Sequence, residues 1–342
     1  MSAAFDSVPV LGVPIHNVDM AGAVARVAEF VETSRRTGRT HQVVTVNTDF
    51  LVHAHRDPDV HTILQGADLA IADGMPVVWA AKAMGAELPG RVAGADLVPA
   101  LAEAAALTGH RIMFFGGAGD TAAQAAALLR QQHPGADIVT ATGVVSTDGE
   151  ADDAQLRQIR DASPDILCVG LGHPKQERFI VRHADALGVP VSMGTGATFE
   201  FICGDTTRAP SWMQRTGLEW LHRMVNDPAR LVRRYATDAR VFGPAFARQM
   251  RTLGGRSANS EPASLPVPDP SAGSYELDLS GIGQISTGDA TLLCSHATLA
   301  RRRGDTVRLA EVTPRVASQL DRLRLRSLFQ YFPQSSTEVS PS

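Results

Sequence analysis

Short apolar runs alternate with helical stretches along the first two thirds of the chain. The runs are residues 43–46, 69–72, 111–115, 138–141, 166–169 and 189–193. Runs that are apolar along their whole length are typical of strands buried on both faces, and helices between them connect parallel strands. The pattern therefore predicts an α/β fold, a Rossmann-like parallel sheet flanked by helices.

Several helix starts can be predicted within this pattern. Asp19 precedes a helix that extends to about residue 36, and Asp57 precedes Pro58. Aspartate is a preferred N-cap, and proline is favoured at the first helical position. Asp57-Pro58-Asp59 also resembles the Asp-x-Asp motif of metal-dependent sugar transferases, but helix capping explains it better. No metal site is predicted there or at the nearby histidines.

The pattern changes after residue 207. Arginines then recur between apolar residues up to residue 256: Arg208, Arg215, Arg223, Arg230, Arg233, Arg234, Arg240, Arg248 and Arg251. This spacing predicts a basic amphipathic helical appendage, which restarts at Asp227-Pro228. Such a surface suits an anionic membrane. Packing of the helices against the sheet is the alternative, and both stay open.

A stretch rich in proline and serine follows and predicts a linker. The predicted organisation is a core at 1–207, the appendage at 208–256, the linker at 257–273, a small α/β unit at 274–333 and a tail at 334–342. We expect the parts on either side of the linker to fold independently.

Composition narrows the functional class. The chain has 342 residues, of which 44% are hydrophobic and 20% are charged, with a formal net charge of −4. A protein whose main partner is nucleic acid would have a strongly basic domain. Nucleic acid is therefore not expected as the main partner of this chain. The three cysteines lack metal-ligand spacing and are expected to be reduced thiols. Because neither a signal peptide nor a membrane span is recognisable, we expect a cytoplasmic protein.

The most informative stretch is residues 168–179, where a predicted buried strand leads through Gly170 and Gly172 into a helix that starts near Pro174. The first helical turn contains Lys175, Gln176 and Glu177. A helix N-terminus at the carboxyl edge of a parallel sheet offers free N–H groups to an anion. The alternative interpretation is a capped helix with a solvated first turn.

Two other strand ends present polar side chains. Thr45 and Asn47 lie at the carboxyl end of one predicted strand, and Asp73-Gly74 lies at the carboxyl end of another. Parallel strands bring such ends to one edge. Asp73 would there be a general base, and Arg91 would stabilise developing negative charge. Asp-Gly as an ordinary turn is the alternative.

A glycine-rich turn, Gly116-Gly117-Ala118-Gly119, follows the predicted strand 111–115. It suggests a dinucleotide fingerprint, but residues 138–141 lack the acidic residue that would hold a ribose. A nucleotide-binding turn is expected. An NAD-dependent oxidoreductase remains an alternative.

Together these motifs resemble the WecG/TagA/CpsF family of bacterial glycosyltransferases over residues 8 to about 250. The matching residues are Thr45-x-Asn47, Asp73-Gly74, Arg91-x-x-Gly94, Phe115-Gly116-Gly117, Gly170-Leu171-Gly172-x-Pro174-Lys175-Gln176-Glu177, Arg208-Ala209-Pro210 and Gly217-Leu218-Glu219-Trp220-Leu221-x-Arg223.

The resemblance implies an inverting transferase that moves a sugar, often N-acetylmannosamine, from a UDP-sugar to a polyprenyl-diphosphate-linked acceptor. It implies no obligatory metal or other cofactor, and a peripheral position at the inner face of the membrane. Asp73 would be the base, Thr45 and Asn47 would orient substrate, and Arg91 and Gln176 would lie near the reacting groups. The implied substrate-binding residues are Gly116, Gly117, Gly172, Pro174, Lys175, Gln176, Glu177, Arg208, Arg223, Arg230 and Arg233.

The last unit resembles a STAS domain in Leu277-Asp278-Leu279-Ser280-Gly281 and in Ser286-Thr287-Gly288. The resemblance implies a module that binds a protein partner. Its phosphorylation turn lacks the usual aspartate and is one residue short, which argues against Ser286 or Thr287 as a switch. A further alternative for the whole chain is a non-catalytic regulator, in which the transferase fold only binds a nucleotide sugar and the STAS-like unit signals.

Overall fold

The computed structural model describes residues 5–204, 228–254, 265–269 and 271–331. Contacts within the chain define two units. The larger unit contains Val18–Trp79 and Leu88–Gly243, and the smaller unit contains Met1–Asn17, Ala80–Glu87 and Pro244–Ser342. Within the described residues, no helix combines the length and the apolar character that a bilayer span requires.

Strands and helices are numbered in chain order. The strands are β1 (Ser7–Val10), β2 (Val13–His16), β3 (His41–Val46), β4 (Leu69–Ala72), β5 (Arg111–Gly116), β6 (Asp137–Ala141), β7 (Ile166–Gly170), β8 (Val191–Gly194), β9 (Tyr275–Asp278), β10 (Val307–Ala310) and β11 (Gln330–Tyr331). The helices are α1 (Met20–Thr37), α2 (Thr48–Arg56), α3 (Pro58–Gly66), α4 (Met75–Ala83), α5 (Gly94–Thr108), α6 (Thr121–Gln132), α7 (Asp153–Ala162), α8 (Lys175–Leu187), α9 (Thr198–Cys203), α10 (Pro228–Thr252), α11 (Thr287–Arg303) and α12 (Pro314–Arg322).

The larger unit is built on a six-stranded sheet with the order β4-β3-β8-β7-β5-β6. Every pairing in it is parallel. Helices cover both faces, as parallel sheets require. The predicted α/β fold with a Rossmann-like parallel sheet is confirmed.

The core of the larger unit lies in two layers, one on each face of the sheet. In β5, Ile112 and Phe114 belong to one buried cluster, whereas Met113 and Phe115 belong to the other. Successive side chains of a strand point to opposite faces, so an apolar run fills both layers. This alternation explains why the sequence shows whole apolar runs rather than an alternating pattern.

Local signals placed many of the elements correctly. Each predicted strand of the core coincides with a strand of the sheet to within two residues at either end. Asp19 and Asp57 accept hydrogen bonds from the first-turn amides of α1 and α3, so both predicted caps are confirmed. The pattern missed the hairpin of β1 and β2, which is short and contains prolines.

The smaller unit contains this antiparallel hairpin and a three-stranded parallel sheet with the order β11-β10-β9. The predicted small α/β unit contains β9, α11, β10 and α12. A small C-terminal α/β region therefore exists. Its identity as a STAS domain remains a prediction.

The hairpin is tied to α11 within the smaller unit. The Ser295 hydroxyl accepts hydrogen bonds from the backbone N–H groups of Asp6 and Ser7, at 3.0 and 3.2 Å. Arg302 forms an ion pair with Asp6 at 2.7 Å. The sequence predicts that the C-terminal part folds independently of the residues before the linker. These contacts instead join α11 to Asp6 and Ser7. The predicted domain boundaries remain a prediction.

Candidate functional site

The connections of the larger sheet define a crevice between β5 and β7. From β5 the chain passes through α6 outward to β6, whereas from β7 it passes through α8 in the opposite direction to β8. Neighbouring strands whose connections leave in opposite directions form a topological switch point, and ligands of open α/β sheets bind outside the carboxyl ends of such strands. This crevice is therefore the first place to look for a ligand site.

Glycine turns follow both strands at this crevice. Gly116 and Gly170 are register partners, and the N–H of Gly117 donates to the Gly170 carbonyl at 2.8 Å. Gly116 has φ +89°, and a Cβ there would lie 2.7 Å from Leu171 Cδ2. Glycine is needed because the backbone is left-handed and closely packed. Gly172, predicted to bind substrate, lies in the second turn with φ +78°.

An acidic side chain also lies at the first turn. One carboxylate oxygen of Glu200, in α9, accepts from the Ala118 N–H at 3.4 Å. Its other oxygen is buried and has no hydrogen-bond partner among the described residues. The acidic residue expected at 138–141 for a dinucleotide site is absent from those positions. Glu200 comes instead from α9, which lies far from the glycine turn in sequence. No local signal marks Glu200.

A second group of predicted residues lies at the ends of β3 and β4. The Asp73 N–H donates to the Val46 carbonyl at 2.9 Å, which holds the two strand ends together. The Val92 N–H donates to the Ala72 carbonyl at 2.8 Å, so the loop carrying Arg91 lies beside Asp73. The Arg91 side chain is 14% exposed and lies 3.8 Å from the Asp96 carboxylate. The structure thus brings Asp73 and Arg91 into one region.

Asn47 and Thr45 have different surroundings. The Asn47 side chain accepts from the N–H groups of Asp49 and Phe50, so its carbonyl oxygen caps α2. Its amide N–H groups can still donate to a substrate. Thr45 is 6% exposed, and its methyl group lies 3.2 Å from where a Cβ of Gly94 would be. The backbone of Gly94 therefore approaches Thr45 closely because Gly94 has no side chain.

The first turn of α8 is more buried than the sequence suggested. Gln176 is 1% exposed and Glu177 is 0% exposed. Glu177 accepts from the Gln176 amide at 2.7 Å and pairs with the His173 ring at 2.8 Å. Both of its carboxylate oxygens are thus engaged within the protein. The substrate contact predicted for Glu177 from sequence stays a prediction.

Pro174 and Lys175 stand at the start of α8, as predicted. Pro174 occupies the N-cap position and follows a cis peptide bond with His173. Lys175 is the first residue of the helix and is partly exposed. A cation and a helix N-terminus together favour an anionic ligand beside the crevice.

A polar cavity of about 260 Å³ lies in the larger unit between α2 and α10. It is lined by Asp49, Val52, His53, Arg56, Arg233, Arg234, Thr237 and Asp238. Arg234 pairs with Asp49 at 3.1 Å and lies 3.9 Å from the Asp238 carboxylate. Arg233 is exposed at this cavity, so one predicted substrate-binding arginine lies among charged groups.

Burial in this cavity changes the acidity of its side chains. Desolvation and the nearby charge of Asp49 raise the pKa of Asp238 to about 6, although Arg234 and Arg56 oppose the shift. Desolvation also lowers the pKa of His53, against the opposing effect of Asp49. Asp238 therefore carries a proton through part of the weakly acidic range.

Two residues predicted to bind substrate lie outside the described part of the chain. Arg208 and Arg223 fall within residues 205–227, which the structure does not describe, and Arg230 lies in α10. Among the described residues, no group of three His, Cys, Asp or Glu side chains is arranged to hold a metal ion. Cys168, Cys203 and Cys294 form no disulfide, and Cys168 and Cys294 are buried.

Residues 8–255 match the family described as "Glycosyl transferase WecG/TagA/CpsF family". The chain belongs to this family. The match includes all described strands of the larger sheet and ends before β9.

Named relatives carry the same activity in their names. Proteins of Bacillus spizizenii and Bacillus subtilis are 33% and 32% identical to the chain over 189 and 190 residues, which is 55% of this chain and 72% of each relative. A Staphylococcus aureus protein is 26% identical over 226 residues, covering 66% of this chain and 87% of the relative. Each is an N-acetylglucosaminyldiphosphoundecaprenol N-acetyl-beta-D-mannosaminyltransferase.

Family membership makes this chain a glycosyltransferase. The expectation of a transferase is confirmed, and the oxidoreductase and the non-catalytic regulator are set aside. With the oxidoreductase set aside, a nicotinamide site is no longer expected at the glycine turns of β5 and β7.

Proposed function

We propose that the chain transfers N-acetylmannosamine, or a similar hexosamine, from a UDP-sugar to a polyprenyl-diphosphate-linked amino sugar in cell-envelope or exopolysaccharide synthesis. The observation that carries the proposal is the order of groups along the carboxyl edge of the sheet. Asp73 follows β4, Thr45 and Asn47 belong to the end of β3, and the glycine turns follow β7 and β5. The names of the relatives support the sugar and the acceptor.

The donor fits this edge by size and charge. Neighbouring strands lie about 4.8 Å apart, so β4 and β5, four steps apart in the sheet, are separated by about 19 Å. We infer that the nucleotide occupies the turns of Gly116 and Gly172. The diphosphate then lies near Lys175 and the N-terminus of α8, where free N–H groups favour anions. The sugar extends toward Asp73.

The proposed reaction is a direct displacement. Asp73 accepts the proton of the acceptor hydroxyl, whose oxygen forms a bond with the anomeric carbon of the donor sugar. The bond between that carbon and the β-phosphate oxygen breaks, and UDP leaves with the bonding electrons. A single displacement inverts the anomeric configuration. Arg91 balances negative charge near Asp73, and Arg208, Arg223, Arg230 and Arg233 are proposed to bind diphosphate groups without a metal.

We also propose that α10 faces an anionic membrane, because the acceptor carries a lipid. Val232, Arg233 and Arg234 are exposed on this helix. An apolar residue beside cationic side chains suits the surface of an anionic leaflet. Replacing Arg233 and Arg234 together by glutamine should weaken binding to vesicles containing anionic lipid more than binding to neutral vesicles.

The C-terminal region is proposed to bind a protein partner as a STAS-like module. Ser286 is not suited to phosphorylation, because it is 6% exposed and its hydroxyl caps α11. That hydroxyl accepts from the Asp289 N–H and donates to the Asp289 carboxylate at 2.7 Å. A phosphate there would disrupt the cap and would lie beside a like charge.

Transfer can be tested with the full chain, a panel of UDP-sugars and a short-chain polyprenyl-diphosphate-linked N-acetylglucosamine. We expect product from UDP-N-acetylmannosamine, and we expect EDTA to leave most of the activity. Transfer that is abolished by EDTA and restored by Mg²⁺ or Mn²⁺ would overturn the metal-free mechanism. Absence of transfer from every UDP-sugar, despite a folded protein, would overturn the proposed donor.

A further inference from the structure

A buried chain of hydrogen bonds links α8 to the turn after β8. The Gly196 N–H donates to the carbonyl oxygen of the Gln176 side chain at 3.0 Å. The amide nitrogen of Gln176 donates to one oxygen of Glu177 at 2.7 Å, and the other oxygen of Glu177 pairs with His173 Nδ1 at 2.8 Å. Every bond of this chain joins groups within the larger unit.

These contacts determine how the Gln176 amide is turned. Its oxygen must face the Gly196 N–H, and its nitrogen must face the Glu177 carboxylate, because exchanging the two would oppose donor to donor and acceptor to acceptor. One N–H of the amide nitrogen remains for another acceptor. The side chain of Gln176 is thus held in a single orientation at the edge of the sheet.

Packing confirms that the pair is built into the fold. A Cβ on Gly194 would lie 2.3 Å from the Gln176 amide nitrogen and 2.4 Å from a Glu177 oxygen. The end of β8 therefore lies directly against both side chains. His173 is fixed in turn, because its ring stacks on Phe50 at a centroid distance of 3.7 Å. Neither Glu177 nor His173 can turn without moving a neighbour.

We propose that Glu177 is a positioning residue for the transfer reaction, and that His173 holds it in place. Glu177 acts through Gln176: it fixes the orientation of the Gln176 amide, and the amide oxygen in turn holds the Gly196 N–H after the end of β8. The inference rests on the proposed function and on the family resemblance, which implies that Gln176 lies near the reacting groups. A buried carboxylate is costly unless it is hydrogen-bonded, so a role confined to packing would be served as well by an apolar side chain.

The kinetic test compares Glu177→Gln, Gln176→Ala and the double variant in the full chain. We expect Glu177→Gln to lower kcat by about 10- to 100-fold with a smaller change in KM for the donor, because small misplacements of reacting groups are costly. Within the Gln176→Ala background it should have almost no further effect, since Glu177 would then have nothing to position. Multiplicative losses, or normal kcat in folded Glu177→Gln, would overturn the proposal.

Glu150→Gln is the matched control, because it makes the same chemical change at an exposed carboxylate that pairs with Arg182. It should behave as wild type. If Glu177→Gln does not fold, His173 provides a second pair of variants. His173→Asn keeps a donor toward Glu177, whereas His173→Phe keeps only the stacking on Phe50. The proposal requires the Phe variant to lose more kcat than the Asn variant, and the opposite order would overturn it.

A second measurement does not depend on catalysis. Amide hydrogen exchange reports whether the Gly196 N–H keeps its partner. Exchange at Gly196 should be about tenfold faster in Glu177→Gln than in wild type or Glu150→Gln, because a misoriented Gln176 releases that N–H. Unchanged protection would overturn the positioning role. If wild type shows no transfer at all, the proposed function fails, and this measurement still decides whether Glu177 positions Gln176.

Discussion

The backbone N–H of Val92 donates a 2.8 Å hydrogen bond to the carbonyl oxygen of Ala72, the last residue of β4. This bond joins the loop that carries Arg91 to the strand that presents Asp73. The two residues are far enough apart in sequence that no local pattern places them together. The proposed displacement requires a base and a cation in this region.

Asp73→Asn tests the proposed base. Because asparagine cannot accept the proton of the acceptor hydroxyl, we expect turnover to fall by about two to four decades while UDP binding is retained. Steady-state transfer and calorimetric titration with UDP measure the two quantities. Asp153→Asn, at an exposed position in α7, is the control. Near-normal turnover in Asp73→Asn would remove this residue from the mechanism.

Gly116→Ala tests the turn after β5. The substitution places a Cβ 2.7 Å from Leu171 Cδ2 and 3.0 Å from the Gly170 carbonyl oxygen, at φ +89°. We expect a loss of about 2–4 kcal/mol in the free energy of unfolding and weaker binding of UDP. Chemical denaturation and UDP titration are the measurements.

Gly243→Ala is the control for that substitution. Gly243 lies inside α10 with nothing within 4 Å of an added Cβ. Alanine in a helix interior should be neutral or stabilising by about 0.5–1 kcal/mol. Equal effects of the two substitutions would contradict the role assigned to the turn.

Asp238→Asn should change how stability depends on pH. The pKa of Asp238 is about 6 in the folded chain, whereas an unperturbed aspartate has a pKa of about 3.9. Between these values only the folded state holds the proton, so the free energy of unfolding falls as pH rises from about 4 to about 6 and then levels off. The variant lacks this contribution, which is at most about 3 kcal/mol.

Thermal unfolding at several pH values between 4 and 8 measures the difference between the two proteins. We expect the Asn variant to gain stability relative to wild type as pH rises to about 6, with a constant difference above that. If the stability of both proteins instead depends on pH in the same way, burial and the charge of Asp49 do not raise the pKa of Asp238.

Ser295→Ala tests the contact between the N-terminal hairpin and α11. The hydroxyl accepts from the backbone N–H groups of Asp6 and Ser7, and both N–H groups would lose this partner. We expect the free energy of unfolding to fall by about 1–3 kcal/mol, as for a buried donor left unsatisfied.

Removal of residues 261–342 should lower the free energy of unfolding more than Ser295→Ala does, because the hairpin then loses all of its contacts with α11. A soluble, fully active truncated chain would instead support the domain division predicted from sequence.

Local patterns were sufficient for much of the fold. The apolar runs predicted the six strands of the main sheet, and the aspartates before α1 and α3 predicted their starts. Strand burial and helix capping depend on residues close together in sequence, so they can be recognised without a structure. The carboxyl-edge positions of Asp73 and Gly116 followed from the same patterns.

The tertiary structure decided which side chains meet. Packing of β8 against α8 buries Glu177 between Gln176 and His173, which the sequence alone does not indicate. Glu200 reaches the glycine turn only because α9 follows a strand two positions from β5 in the sheet. The hairpin contacts Ser295, although almost the whole length of the chain separates them in sequence. Contacts of this kind depend on strand order and on how helices pack on the sheet, and neither leaves a periodic signal in the residues themselves.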